Sequence, residues 1–137
     1  FDVRDGDAIA HLLPAHGIVP VIITGRSSEI VAQRAKELKI TELYQGVSDK
    51  LAVFEEILEA TGLAPGQVAY MGDDIVDLPV LRRAGVSVTV CDAHQDVLGV
   101  ADLVTRNAGG RGAVREVCEI LLKAQGKWDG LMERYRA

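Results

Sequence analysis

A chain of 137 residues that is 48% hydrophobic and 26% charged, with mean hydropathy +0.14, has material for one compact core and not for two. Its formal net charge of -5 and pI near 5.1 argue against nucleic acid or an anionic membrane as the partner, although a local group of Arg and Lys still suits an anionic small molecule. No apolar stretch approaches the roughly 20 residues of a membrane span, and Cys91 and Cys118 fit no metal-ligand spacing, so both read as core or near-core filler in a reduced cytoplasm. The chain opens at Phe1 and not at Met, which leads us to expect a true N-terminus upstream.

In chain order, "FDVRDG" places Arg4 and Asp5 just before a helix carrying Ala8, Ile9, Leu12 and Leu13. Residues 18–23 read as a strand, with Pro20 near its start because proline removes a ladder donor. Ile30, Val31, Ala35 and Leu38 then share a helical face, and Leu43-Tyr44-Gln45 is strand-like. Asp49 caps the next helix, whose Leu51, Phe54, Ile57 and Leu58 lie together and whose end Gly62 marks. A strand at 67–71, a helix to Ala84 with Pro79 in its first turn, a strand at 86–90, a short strand near Leu103-Val104 and a helix from Ala113 to Ala124 complete the series. The tail after Gly126, with Trp128 and Tyr135, is amphipathic. Strand and helix alternate throughout, the pattern of a parallel sheet with helices on both faces. One domain is expected, with 107–137 a C-terminal tail directed at a neighbouring subunit.

Several stretches carry chemistry. "YMGDDIVDLP" (70–79) gathers Asp73, Asp74 and Asp77 at the C-terminal end of a strand, the edge where open α/β sheets bind ligands. Carboxylates crowded there suit Mg²⁺, which takes one or two of them and keeps its other sites for water and phosphate; helix capping by Asp77 is the competing reading. "IITGR" (22–26) ends a strand with Thr24, Gly25 and Arg26, a group able to hold a phosphate. "GVSDK" (46–50) starts a helix with Lys50, where the macrodipole disfavours a cation unless an anion is near. "NAGGRGAVREV" (107–117) surrounds Arg111 with Gly109, Gly110 and Gly112, a loop able to reach an anion; a plain loop and helix cap, with Arg115 and Glu116 facing solvent, is the alternative. His11, His16 and His94 have no partners at ligand spacing and read as structural or surface residues.

Taken in this order, the strand-ending Thr24, the helix-starting Lys50 and the GDD segment with Asp77 resemble motifs two, three and four of the haloacid dehalogenase superfamily. The spacings are 26 residues from Thr24 to Lys50 and 23 from Lys50 to Asp73. Together with "VRDG", "TGR", "LYQG" and "GGRGAVREV", they are similar to its cap-less subfamily acting on 3-deoxy-D-manno-octulosonate 8-phosphate (KDO 8-phosphate), over essentially the whole chain. That resemblance implies a Rossmann-like three-layer α/β fold and a Mg²⁺-dependent phosphatase of lipopolysaccharide precursor synthesis, assembled as a homotetramer. It implies that Thr24 bonds the transferring phosphoryl group and Lys50 neutralises it. Asp73 would ligate Mg²⁺, Asp74 would contact substrate or a metal-bound water, and Asp77 would be a supporting acid. Arg4, Asp5 and Gly6, and more loosely Asp2 and Val3, match a substrate-contacting loop. Arg26 and Arg34 match basic positions at the sugar site, and Arg111 a residue inserted toward a neighbouring subunit's site.

The family's first motif, an Asp-x-Asp supplying nucleophile and general acid, is expected before Phe1 on a central strand. Asp5-Gly6-Asp7 has the spacing but follows no hydrophobic strand. Asp2 also departs from the family's neutral residue. The expectation is therefore a phosphatase whose first motif precedes these residues, with an inactive remnant as the other reading. Further alternatives are a phosphatase of a nine-carbon sialic-acid-type sugar and a non-catalytic binding module.

Overall fold

The computed structural model describes residues 3–15 and 17–136. Asp2, His16 and the side chains of Arg4 and Tyr135 lie outside what it describes.

Among the described residues, five strands form two parallel sheets. β1 (Val21–Ile23) pairs with β2 (Glu42–Tyr44) in the register Val21↔Glu42, and β3 (Ala69–Met71), β4 (Val86–Thr89) and β5 (Leu103–Val104) form the other sheet in that order. β1 and β3 are not paired with each other, and the gap between the two blocks lies where the central strand of the first motif is expected, between the strands that lead to Thr24 and Asp73. Pro20 lies just before β1, as a residue without a donor should.

Helices α3 (Glu29–Glu37), α4 (Lys50–Thr61) and α5 (Leu78–Arg83) connect the strands. Local chemistry sets their ends. Ser28 accepts from Val31 N–H at the start of α3, Asp49 accepts from Ala52 N–H at 3.0 Å at the start of α4, and Gly62 ends α4 at φ 71° in the left-handed region. Phe54, Leu58 and Val80 bury against Leu51, Val68, Tyr70 and Ala84, which seats α4 and α5 on β3. Ile30 departs from its expected face and is 76% exposed, because α3 turns Ala35 and Leu38 inward instead.

The N-terminal segment is helical earlier than expected. α1 (Val3–Asp7) and α2 (Leu13–Ala15) are joined by a wider π-helical stretch, Ala8–Leu12, in which Leu13 N–H bonds Ala8 O, five residues back. Arg4, Asp5 and Gly6 therefore stand on a helix, not in a loop before one. This segment touches two parts of the core. Ala8 and Leu13 pack with Cys118 and Leu122, while Ile9 and Ala10 pack against Ala35, Leu38 and Ile40.

The partner in the first of these clusters is α7 (Ala113–Ala124), and α8 (Trp128–Arg136) lays Trp128 and Met132 on the same cluster. Leu122 is fully buried, worth roughly 1.5–3 kcal/mol. α7, with Trp128 and Met132 of α8, is thus built into this chain's own core, since α7 is strongly amphipathic and needs an apolar surface to cover. Cys118 is core, as expected, and burial pushes its thiol up to about 12. Cys91 is instead exposed, its Sγ 3.4 Å from Arg106 O. α6 (Gln95–Leu98), unforeseen in the sequence, starts at His94, whose Nδ1 accepts from Asp96 N–H.

Glu116 does not simply face solvent. Its carboxylate accepts from Arg106 N–H, Asn107 N–H and Asn107 Nδ2 at 2.9–3.0 Å, fastening the strand-end turn to α7. Burial alone would raise this carboxyl, but those donors hold it below the usual range. Glu116→Gln would turn an amide NH₂ toward the same N–H donors, so we expect a loss of about 1 kcal/mol, or roughly 3 °C in Tm. Because the folded pKa is depressed, the wild-type advantage should be complete above about pH 5 and shrink as pH falls below about 4, which melting curves across that range will check.

Candidate active site

The ends of β1 and β3 and the start of α4 converge through short bonds. Thr24, directly after β1, donates its N–H to Tyr44 O at 2.9 Å and accepts Val47 N–H on its own carbonyl at 3.0 Å, while Gly46 N–H bonds Arg26 O. This zips the "TGR" turn to the stretch that leads into α4. Gly46 has φ 64°, and a Cβ there would stand 2.9 Å from Ser27 Oγ. The Thr24 hydroxyl accepts from Arg26 N–H at 3.2 Å, which leaves its own proton for a further acceptor.

Lys50 occupies the first position of α4, and the anion that its placement demanded is Asp77. Lys50 Nζ and Asp77 Oδ1 are 2.8 Å apart, with the side chains 15% and 5% exposed. Asp77 accepts three further bonds: Tyr70 OH at 2.7 Å on Oδ1, and the N–H groups of Asp73 and Asp74 at 3.1 and 3.2 Å on Oδ2. Burial acts to raise the Asp77 carboxyl, but the bonds from Lys50, Tyr70 and Asp74 N–H outweigh it and hold it below the usual range. Tyr70 is driven the opposite way, far above an ordinary phenol, by burial and by its bond to the Asp77 carboxylate. Gly72 is required by this geometry, since a Cβ there would come within 2.5 Å of Asp77 Cβ and Cγ.

Asp73 and Asp74 project from the braced loop and are exposed. Asp74 Oδ1 accepts from Ile75 N–H at 2.7 Å and caps the 3-10 turn Ile75–Asp77. The Asp73 carboxylate has no hydrogen bond or ion pair among the described residues, while its carbonyl accepts His94 N–H at 3.0 Å. Among the described residues no three His, Cys, Asp or Glu side chains gather into a complete metal cage. The capping reading of Asp77 holds in part: it makes no side-chain bond forward into α5, but its Oδ2 accepts from Asp74 N–H and completes a capping box on the 3-10 turn Ile75–Asp77 that leads into α5.

The other expected residues divide. Arg26 and Arg111 are exposed. Arg34 is partly buried, bonds Glu37 at 3.1 Å and lies over Gly6, where an added Cβ would meet its guanidinium at 2.9 Å. Val3 is 84% exposed. Asp5 is 4% exposed, and its two oxygens take Gly112 N–H at 3.2 Å and Arg115 N–H at 2.9 Å, at the start of α7. Its carboxylate is therefore committed to a helix N-terminus, a placement no local pattern in "VRDG" announces because the partners are more than a hundred residues away. Sequence reasoning also missed Tyr70. The available signal was a lone hydroxyl in an otherwise apolar strand, immediately before the acids.

A model of the haloacid dehalogenase-like hydrolases matches residues 39–117. The 3-deoxy-D-manno-octulosonate 8-phosphate phosphatase KdsC of Escherichia coli K12 is 54% identical over 129 residues, which cover 94% of this chain and 68% of that protein. The crystal structure of the Moraxella catarrhalis phosphatase of the same name, in complex with magnesium ion, phosphate ion and KDO, is 41% identical with TM-score 0.94, over 98% of this chain and 77% of that one. The corresponding Yersinia pestis structure is 51% identical with TM-score 0.92, over 95% and 70%. With the family model spanning more than half of the residues and such relatives aligned along nearly all of them, this chain belongs to the haloacid dehalogenase-like hydrolases.

Proposed function

We propose that the protein to which this chain belongs is a Mg²⁺-dependent phosphoric monoester hydrolase that converts KDO 8-phosphate to KDO and phosphate, a step of lipopolysaccharide precursor synthesis in the cytoplasm. The observation that carries the reading is the Lys50–Asp77 contact, which brings a cation from one helix start to the loop that presents Asp73. Phosphoryl transfer needs this kind of site: positioned donors and cations around the oxygens where charge spreads. The relatives of 41–54% identity that bear this activity in their names, one of them holding magnesium, phosphate and KDO, support the choice of substrate.

The residues present fit the metal. Asp73 offers an exposed carboxylate without a partner among the described residues, on a loop fixed by Asp77, and Mg²⁺ asks for only one or two such oxygens. Asp73 would hold the ion, with Asp74 beside it toward the substrate. When bound, the ion neutralises phosphate charge. Thr24 would donate its free hydroxyl proton to a phosphate oxygen, and Lys50 would face the same group from α4. Arg26 and Arg34 would lie toward the sugar. Asp5, whose oxygens are both occupied, is not assigned a substrate contact. The Asp-x-Asp expected from the resemblance, which ends a strand, is not supplied by Asp5 and Asp7, which stand on α1.

Arg111 sits on a loop moored at three points by acids: Asp92 accepts Gly109 N–H, Asp5 accepts Gly112 N–H, and Glu116 holds residues 106 and 107. An exposed guanidinium on a fixed loop suits insertion into the site of an adjacent subunit, and a homotetramer sharing its sites is the assembly we propose. The C-terminal helices meet their own chain's core, so the reach toward a neighbour is assigned to the 108–112 loop.

Phosphate release from KDO 8-phosphate by the natural gene product, with and without EDTA, tests the reading; faster release from a nine-carbon sialic-acid phosphate would replace the substrate. Asp73→Asn is expected to abolish Mg²⁺-dependent turnover while leaving Tm within about 2 °C, because the exposed carboxylate has no partner in the fold. Turnover equal to wild type would remove Asp73 from the metal site. Arg111→Ala should lower kcat/KM by roughly ten- to a hundredfold, about 1.4–2.8 kcal/mol of transition-state binding, and Arg111→Lys should restore little of it. Mixing Arg111→Ala with Asp73→Asn subunits should regain activity if sites are shared. No recovery after demonstrated subunit exchange would confine Arg111 to its own subunit.

A further inference from the structure

Lys50 and Tyr70 converge on the same oxygen. Both bond Asp77 Oδ1, at 2.8 and 2.7 Å. The Tyr70 ring also meets Phe54 edge-on, with centroids 6.3 Å apart and planes at 80°. Phe54 is 3% exposed and lies one turn beyond Lys50 on α4, so the two side chains are i,i+4 neighbours on one face of that helix. Tyr70 therefore touches both members of the arrangement: its hydroxyl reaches the acid that holds Lys50, and its ring presses on the residue stacked next to Lys50. A lysine by itself is a point charge on a flexible four-carbon stem, and nothing in its own chemistry fixes where the ammonium stands. A carboxylate oxygen offers two lone-pair directions. With one direction filled by the phenol, the lysine is restricted to the other.

We propose that Tyr70 is a positioning residue of the active site: its hydroxyl occupies one side of Asp77 Oδ1, directs Lys50 to the other, and so sets where the ammonium meets an incoming phosphate group. This rests on the reading of Lys50 as the phosphate-neutralising cation. Tyr70 itself touches no substrate. The competing role is filling: a ring packed beneath α4, with a hydroxyl that merely found an acceptor.

Tyr70→Phe separates the two, since it keeps the ring and the Phe54 contact and removes only the hydroxyl. Isothermal titration of inorganic phosphate in the presence of Mg²⁺ would be run on wild type, Tyr70→Phe, Lys50→Ala and the double variant. If the hydroxyl acts through Lys50, Tyr70→Phe should weaken phosphate binding about three- to tenfold in the wild-type background and less than twofold once Lys50 is alanine. An equal loss in both backgrounds, or none in either, overturns the proposal. Should Tyr70→Phe lose its thermal transition, Phe54→Leu decides: it removes the edge-on contact without touching a polar group, and phosphate binding about two- to threefold weaker only when Lys50 is present supports the role, whereas unchanged binding sinks it. The phosphatase reading is judged separately by wild-type release of phosphate from KDO 8-phosphate. No release together with a persisting Tyr70–Lys50 coupling would discard that activity and leave the positioning role standing.

Discussion

The Asp77 carboxylate is the point on which the site depends. A charge 3% exposed is costly to bury, and it persists because four donors meet it: an ammonium, a phenol and two backbone N–H groups. Removing Lys50 alone would leave that carboxylate short of its countercharge, a change that typically costs about 3–5 kcal/mol in buried pairs. The same four bonds perform three tasks. They offset the unfavourable macrodipole at a lysine on the first position of α4, they fix the backbone that presents Asp73 and Asp74, and they join α4 to the end of β3. Gly72 follows from them, since no side chain fits between the backbone and so close a carboxylate.

The same device recurs at the edges of the fold, where acids bind backbone N–H groups that strand and helix ends leave unpaired. Asp5 serves the start of α7, Asp92 and Glu116 fasten the turn that carries Arg111, and Asp102 and Ser87 exchange reciprocal bonds at 2.9 Å beside β4. Several acids bond backbone N–H groups, with Asp5 and Asp77 buried, while Arg26 and Arg111 are exposed cations. In an acidic protein, such cations stand out to an anionic substrate.

Much of the fold could be read locally. Short apolar runs marked the parallel strands, and Asp49, Gly62 and Pro79 marked helix ends, because strand burial and capping depend on residues within a few positions of one another. The ordered Thr24, Lys50 and Asp73 set was legible for a related reason: each stands at the end of an element, where topology alone brings it to the ligand-binding edge. The lysine at a helix start was even informative by its misfit, since it required an anion that the sequence could not identify.

What the sequence determined by itself was thus the family, the alternation of strand and helix, and the residues carrying chemistry at element ends, all of which are written in short-range pattern. The tertiary structure alone decided which acid serves which donor. It chose Asp77 as the anion for Lys50, 27 residues away, set Asp5 at the start of a helix more than a hundred residues on, left Ile30 and Cys91 exposed, and set Tyr70 against Phe54 and Asp77. The physical reason is common to them. A hydrogen bond or an apolar contact is specified by distance in space, and along the chain those partners share no period, cap or turn that would announce them.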